Sequence, residues 1–359
     1  AVVVNINNNN ITGASEGYDL WNCPTSSTVT ITGGVVSNCN VGVFANNYDG
    51  YNSNAASSQY AMTGVTITNC DTAIWVRDND LNTNSATVSL SINNATNFVN
   101  GTGMGLLLEG GDASVNFNGA SPVDFSTTLS KYIRLITNGT NVPASGINAQ
   151  SVMFGGANGT VLNNTQLFSV EDKIDHKTDW NSLGFVSVKA NNSYVTLNSF
   201  YSPNTSVASI QNTIGITAVG DTVNIGSGTF NESINVNKTL TVSGSGTGVT
   251  ILTPTVTCTG DGITVSSSSV SVKDLTVTDF NYGLRTSTDN TTFFNVESIA
   301  NCSYGLISTN GTRALTLLKC KLNNNIIGGW RVGTADVITN VLFDSCEVKT
   351  NGTGVNNGF

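Results

Sequence analysis

Residues 220–244 read GDTVNIGSGTFNESINVNKTLTVSG. Short apolar–polar runs separated by Gly and Asn turns make this the opening coil of a β domain. It nevertheless lies past the midpoint of a 359-residue chain. The two hundred residues before it are equally rich in β patterning, so the organisation of the whole turns on how the two stretches relate.

Just upstream, SIQNTIGITAV (209–219) places Ile210, Ile214 and Ala218 on one helical face behind a Ser209 cap. The pattern predicts a short helix near 209–218 that covers the open end of a domain and leads into its first coil. Before it, EDKIDHKTDWNSLGFVSVKANNSYVTLNS (171–199) is the most charged part of the chain and holds its single His. Charge of this kind suits the place where stacked strands must stop exposing an edge. The expected division is therefore 1–200, the C-terminal part of one module ending in a charged junction at 171–199, and 201–359, the N-terminal part of the next.

Working outward, a small residue followed by apolar ones recurs at Gly262, Gly283, Gly305, Gly328 and Gly354, in steps of 21, 22, 23 and 26 residues. The same feature appears at Gly17, Gly42, Ala73 and Gly105, in steps of 25, 31 and 32. Short alternating strands such as VSVKDLTV and ALTLLKC lie between Asn- and Ser-rich turns. A period of roughly 20–30 residues with three short strands predicts an all-β, right-handed parallel β-helix (β-solenoid) of about 21–32 residues per coil. Propeller blades need a longer period and leucine-rich repeats a different consensus. Placing residue 1 after residue 359 puts Gly354 and Gly17 22 residues apart, one further coil. The expectation is a chain cut from a longer repeating polypeptide.

Composition agrees. Charged residues make up 10% of the chain and mean hydropathy is +0.02, so Asn, Thr, Ser and 37 Gly supply the polarity. A net charge of −9 leaves no basic face for nucleic acid. No apolar run reaches the length of a membrane span. Fourteen Asn-x-Ser/Thr sequons occur, among them Asn10, Asn100, Asn231, Asn301 and Asn351; a chain this rich in Asn, Ser and Thr yields many by chance, and they fit a surface protein.

Ala218, Gly220-Asp221-Thr222-Val223, Gly228-Thr229-Phe230, Glu232, Ile234, Lys238, Leu240 and Gly244 resemble the first coil of secreted bacterial parallel β-helix proteins of the pectate-lyase-like superfamily. That coil commonly reads A-x-GDTV-x-V-x-x-GTY-x-E-x-I-x-I-x-K-x-L-T-I-x-G. The junction at 171–199 is similar to linkers that join β-helix modules in very large surface proteins. The resemblance implies the fold and secretion to the cell surface or beyond.

Catalysis in enzymes of this fold needs clustered carboxylates, a Ca²⁺ site or a catalytic Arg or Lys on one face. The QDT-like, DFIFG-like, NTD, DD and RIK motifs of the related esterases and hydrolases find no counterpart, and Glu232 reads as a structural residue of the first coil. Arg77-Asp78-Asn79-Asp80 offers Asp78 and Asp80 as Ca²⁺ ligands, with a solvated turn the preferred reading. Asp172, Asp175, Asp179 and His176 are the conventional acid/base candidates, and a solvated His is preferred there too. No cofactor and no enzymatic activity is expected.

Seven Cys occur; Cys39, Cys70 and Cys302 share the contexts SNC, TNC and ANC and predict a ladder of small interior side chains. Cys320 and Cys346, one coil apart, are the best candidates for a disulfide, against free buried thiols. Alternation after each small residue sends Phe44 and Trp75 outward as stacked neighbours, and Trp330 as well if Gly328 sets the register. That face could stack on sugars or contact a neighbouring fibre, unless the long turn at 47–61 covers it. The resulting expectation is a structural shaft, a fibre or adhesin segment that continues end to end with copies of itself. A polysaccharide-binding or polysaccharide-degrading protein is the alternative.

Overall fold

Over the first fifteen strands, every third strand belongs to the same sheet. The computed structural model describes residues 3–21, 23, 27–48, 57–79, 86–94, 96–309, 314–333 and 338–352; Asp80, Gly354 and most of the turn at 47–61 lie outside them. The described residues form thirty-three strands and two short helices, and every pair of named strands is parallel. Two compact units divide at Ala190 and Asn191.

In the first unit, one sheet stacks Val3–Asn7, Thr28–Thr32, Ser58–Thr63, Val88–Asn93 and Ala113–Phe117. A second stacks Asn10–Thr12, Val35–Ser37, Thr66–Thr68, Asn97–Asn100, Val123–Phe125 and Met153–Phe154. A third stacks Glu16–Trp21, Val41–Tyr48, Thr72–Asn79, Met104–Glu109, Lys131–Ile136 and Ile174–Asp175. The chain visits the sheets in rotation, so each three-strand repeat lies on the one before.

Registered apolar columns fill the interior: Val36, Ile67, Val99, Phe125 and Phe154 on the second sheet, and Val43, Ile74, Leu106, Ile133 and Ile174 on the third. All are buried. Period-two alternation puts these residues inside and their neighbours outside. The recurring small residue has a steric cause. A Cβ on Gly42 would lie 2.5 Å from the carbonyl oxygen of Ala73 in the next repeat.

In the second unit, one sheet runs through Asn192–Val195, Thr222–Ile225, Thr241–Ser243, Ser271–Thr278, Thr292–Ile299, Thr316–Leu318 and Leu342–Asp344. Gly228–Phe230 and Thr250–Leu252 join it at Ser271–Thr278. The other sheet stacks Ile234–Val236, Asp261–Val265, Tyr282–Thr286, Tyr304–Ser308 and Gly328–Val332. The long strands bend at left-handed residues, Asp274 (φ 59°) and Asn295 (φ 52°), where Asn295 Nδ2 donates to Asp274 Oδ1 at 2.8 Å.

The turn columns explain the Asn-rich composition. Gly13, Asn38, Asn69 and Gly101 occupy equivalent turns with φ of 71°, 55°, 55° and 127°. Asn is among the residues that tolerate the left-handed region at least cost when Gly is not used. In the second unit a buried ladder of amides follows the turns. Asn325 Oδ1 accepts from the Asn301 N–H (3.0 Å) and from Asn301 Nδ2 (2.9 Å), and Asn351 Oδ1 accepts from the Asn325 N–H (2.8 Å). Asn301 is fully buried, so this sequon is not open to glycosylation in the folded chain.

Two helices attend one end of each unit. Helix α1, Asn164–Glu171, follows the last strand of the second sheet and carries an Asn163/Gln166 capping box. Helix α2, Ile210–Ile216, is capped by Ser209 and buries Ile210 and Ile214 against the first core residues of its unit, including Val195, Val223 and Ile225. This is the helix that the 209–218 pattern predicts.

Candidate functional site

Glu232 and Lys238 hold the two ends of α2. The Glu232 carboxylate accepts from Ser209 Oγ (3.1 Å) and from the N–H groups of Ile210 (2.5 Å) and Gln211 (3.2 Å). Those are donors that the first helical turn leaves without partners. At the other end Lys238 Nζ donates to the carbonyls of Gly215 (2.9 Å) and Thr217 (2.7 Å). Burial pushes the Glu232 carboxyl above its ordinary range, and its three hydrogen bonds pull the other way. Both residues of the first-coil motif are thus structural clamps on the end cap.

The aromatic face of the third sheet is partly as the alternation predicts. Phe44 and Trp75 are in register with ring centroids 4.8 Å apart. Phe44 is only 8% exposed, however, and Trp75 is half-buried. Trp75 Nε1 donates to Glu109 Oε2 at 3.0 Å, and Arg77 lies over the Trp75 ring and 3.4 Å from Glu109. Burial raises the Glu109 pKa against the pull of Arg77 and Trp75. Trp75 and Arg77 thus both engage Glu109.

Trp330 corrects the register. It pairs with Leu306, and the Gly equivalent to Gly305 is Gly329, not Gly328. Trp330 therefore belongs to the inward column, packs against the core, meets Phe343 in a tilted ring pair with centroids 5.0 Å apart and donates from Nε1 to Ser308 Oγ (2.8 Å). Two adjacent glycines made the sequence ambiguous by one residue, and one residue reverses the face.

Asp78 is fully buried rather than in a solvated turn; its Oδ2 accepts from the Asp112 N–H at 3.1 Å. Its intended partner Asp80 lies outside the described residues. Among the described residues no group of three His, Cys, Asp or Glu side chains could hold a metal ion.

His176 is likewise buried, at 1% exposure. Nδ1 accepts from the Val186 N–H (3.0 Å) and Nε2 faces Glu171 Oε1 (3.0 Å). The ring stacks on Phe185 at 5.3 Å, and Asp179 Oδ2 accepts from the His176 N–H at 2.7 Å. Burial opposes an imidazolium, but Glu171, Asp179 and Asp175 outweigh it and hold the imidazole pKa above its ordinary value. The Val186 N–H donates to Nδ1, so the neutral ring carries its proton on Nε2, toward Glu171. Burial also raises the Asp179 carboxyl to about 7. Asp175 is taken by Lys131 (2.5 Å) and Arg134 (3.1 Å). Asp172, the fourth member, contributes its carbonyl oxygen to Lys131 Nζ (3.1 Å). His176 pins α1 to the last strands of its unit, and the cluster is a buried lock.

The cysteine pairing also differs from expectation. The disulfide joins Cys258 and Cys302, whose Cα atoms are 5.3 Å apart, while Cys320 and Cys346 are free. These two face adjacent parallel strands in register, where side chains project the same way rather than toward each other. Their thiols donate to backbone carbonyls instead, Cys320 to Phe293 (3.3 Å) and Cys346 to Leu317 (3.4 Å). Cys39 and Cys70 do form the expected buried pair; Cys302 leaves it for the disulfide.

The concave site is elsewhere. A cavity of about 470 Å³ opens on the outer face of the second sheet, lined by Thr66, Thr68, Phe98, Asn100, Asp124 and Thr127 among others. Phe98 is 51% exposed at its centre. The sequence carried the clue in NFVN (97–100): Val99 faces inward, so Phe98 must face out. One carboxylate, Asp124, lines the cavity, short of the pair that acid/base hydrolysis of a glycosidic bond requires.

Compared with protein-family models, curated proteins and solved structures, the chain matches none.

Proposed function

We propose that the chain is a structural segment of a secreted right-handed parallel β-helix that works as a fibre or adhesin shaft, its coils continuing end to end. The observation that carries this is the registered stacking of parallel strands within each unit, with apolar columns such as Val36, Ile67, Val99 and Phe125 running from repeat to repeat.

A stack of this kind grows by coils that pair each with the one before, and addition in tandem or end to end lengthens a stiff rod. Right-handed crossover is the hand that parallel connections take. The Cys258–Cys302 disulfide supports an oxidising, extracellular setting. Electron microscopy of the native material tests the reading: continuous filaments are expected, and isolated short particles would overturn it.

A further inference from the structure

We infer that the cavity on the second sheet of the first unit is a binding site for a neutral, hexose-based glycan, with Phe98 as its stacking platform. The residues come from successive repeats: Thr66 and Thr68 from one strand, Phe98 and Asn100 from the next, Asp124 from the third. Phe98 pairs with Thr66 on one side and with Asp124 on the other. An aromatic ring therefore stands half exposed between a hydroxyl and a carboxylate, each about 4.8 Å away along the stack.

On the adjoining strands the residues in register with Phe98, Thr66 and Asp124, are polar, so the ring is an apolar platform with a polar border. A sugar ring offers what the site takes: a face of C–H groups for the aromatic ring and hydroxyls at its edge. The polar groups have capacity to spare. Asp124 Oδ1 accepts from the Gly156 N–H (3.0 Å), which leaves Oδ2 directed elsewhere, and Asn100 Oδ1 accepts from the Gly101 N–H (2.8 Å), which leaves its NH₂ as a donor. The strand spacing is also close to the advance of one hexose unit along a β-linked chain, so neighbouring units can address neighbouring repeats.

Charge selects the class. Asp124 is the only charged residue of the lining, and the nearby Lys173 is committed to the carbonyls of Thr127 (2.6 Å) and Leu129 (2.7 Å) and to the face of Tyr132. With no free cation in the cavity, a uronate chain meets a carboxylate with nothing to offset it, whereas a neutral glycan finds an acceptor for its hydroxyls.

The test titrates the full chain with cellohexaose and separately with polygalacturonate, by calorimetry at moderate salt. Binding of cellohexaose, lost about tenfold or more in Phe98→Ala and unchanged in Trp75→Ala, is expected. Phe98 is half exposed, so its truncation leaves the core intact; thermal melting of the variant checks this. Asp124→Asn should strengthen polygalacturonate binding relative to the parent while keeping the fold. No heat with cellohexaose at millimolar concentration, equal binding by Phe98→Ala, or preference for polygalacturonate would each overturn the inference. A Phe98→Ala variant that bound no less glycan but lost self-association would assign the face to a second copy and overturn it too. Because filament formation is read separately by microscopy, failure here leaves the shaft reading untouched.

Discussion

Replacing Asn325 by Ala should cost the second unit about 3–5 kcal/mol. Asn325 is 1% exposed and serves four hydrogen bonds. Its Oδ1 accepts from the backbone and the side chain of Asn301, and its Nδ2 donates to Ser298 O and Asn351 Oδ1, each at 3.1 Å. Alanine removes all four; it leaves the Asn301 N–H buried without an acceptor, while Asn301 Nδ2 keeps only Ser298 Oγ (3.1 Å). Each buried group left unsatisfied costs about 1–3 kcal/mol, and a small relaxation offsets part of the sum. With a urea slope of about 2 kcal/mol/M, the midpoint of the affected transition falls by about 2 M. Urea titration followed by hydrogen exchange at the amides of Ser298 to Asn301 reads the effect locally. Asn231→Ala, at an exposed turn, provides the control and should change stability by less than about 0.5 kcal/mol. A loss below about 1 kcal/mol in Asn325→Ala would refute the reasoning, because the amide ladder would then be incidental to the stack.

Three more expectations test other parts of the account. Burial raises the Asp179 carboxyl to about 7, well above the ordinary carboxylate range, so between those values the folded chain holds a proton that the unfolded chain has released. Its contribution to stability is full below about 4, is lost as pH rises toward 7, and is absent from Asp179→Asn, as denaturant titrations across that window would show. Burial raises the Cys320 thiol to about 12; mass spectrometry after alkylation of the native chain should find Cys320 unmodified, with Cys258 and Cys302 recovered as one cross-linked peptide pair. Glu232→Ala should destabilise the end cap by about 1–2 kcal/mol, seen as faster exchange of the Ile210 and Gln211 amides with little change in the far repeats.

Much of the stack was legible because it rests on period-two alternation and on a steric requirement that repeats. Val43, Ile74 and Leu106 announce their column through the small residue before each. The short helix at Ile210–Ile216 was legible for the same reason, a cap followed by a one-sided apolar stripe. What failed was everything that depends on a single register or on distant partners. Gly328-Gly329 left two registers open, and only pairing with Tyr304–Ser308 chooses between them. Cys258 precedes Cys302 by 44 residues, so no spacing of one repeat could propose their bond. His176 lay in the most charged stretch, where solvation is the natural expectation; its burial follows from Val186 and Phe185, ten and nine residues on. Phe98 was legible from alternation alone, but the cavity around it required Asp124 and Thr127 from the next repeat.

X-ray diffraction from aligned native filaments addresses the central claim most directly. Coils stacked along a fibre place the strands across its axis, and a meridional reflection near 4.8 Å is predicted. A 4.8 Å reflection on the equator, or none in material that aligns well, would mean the stacked strands do not run on into a shaft.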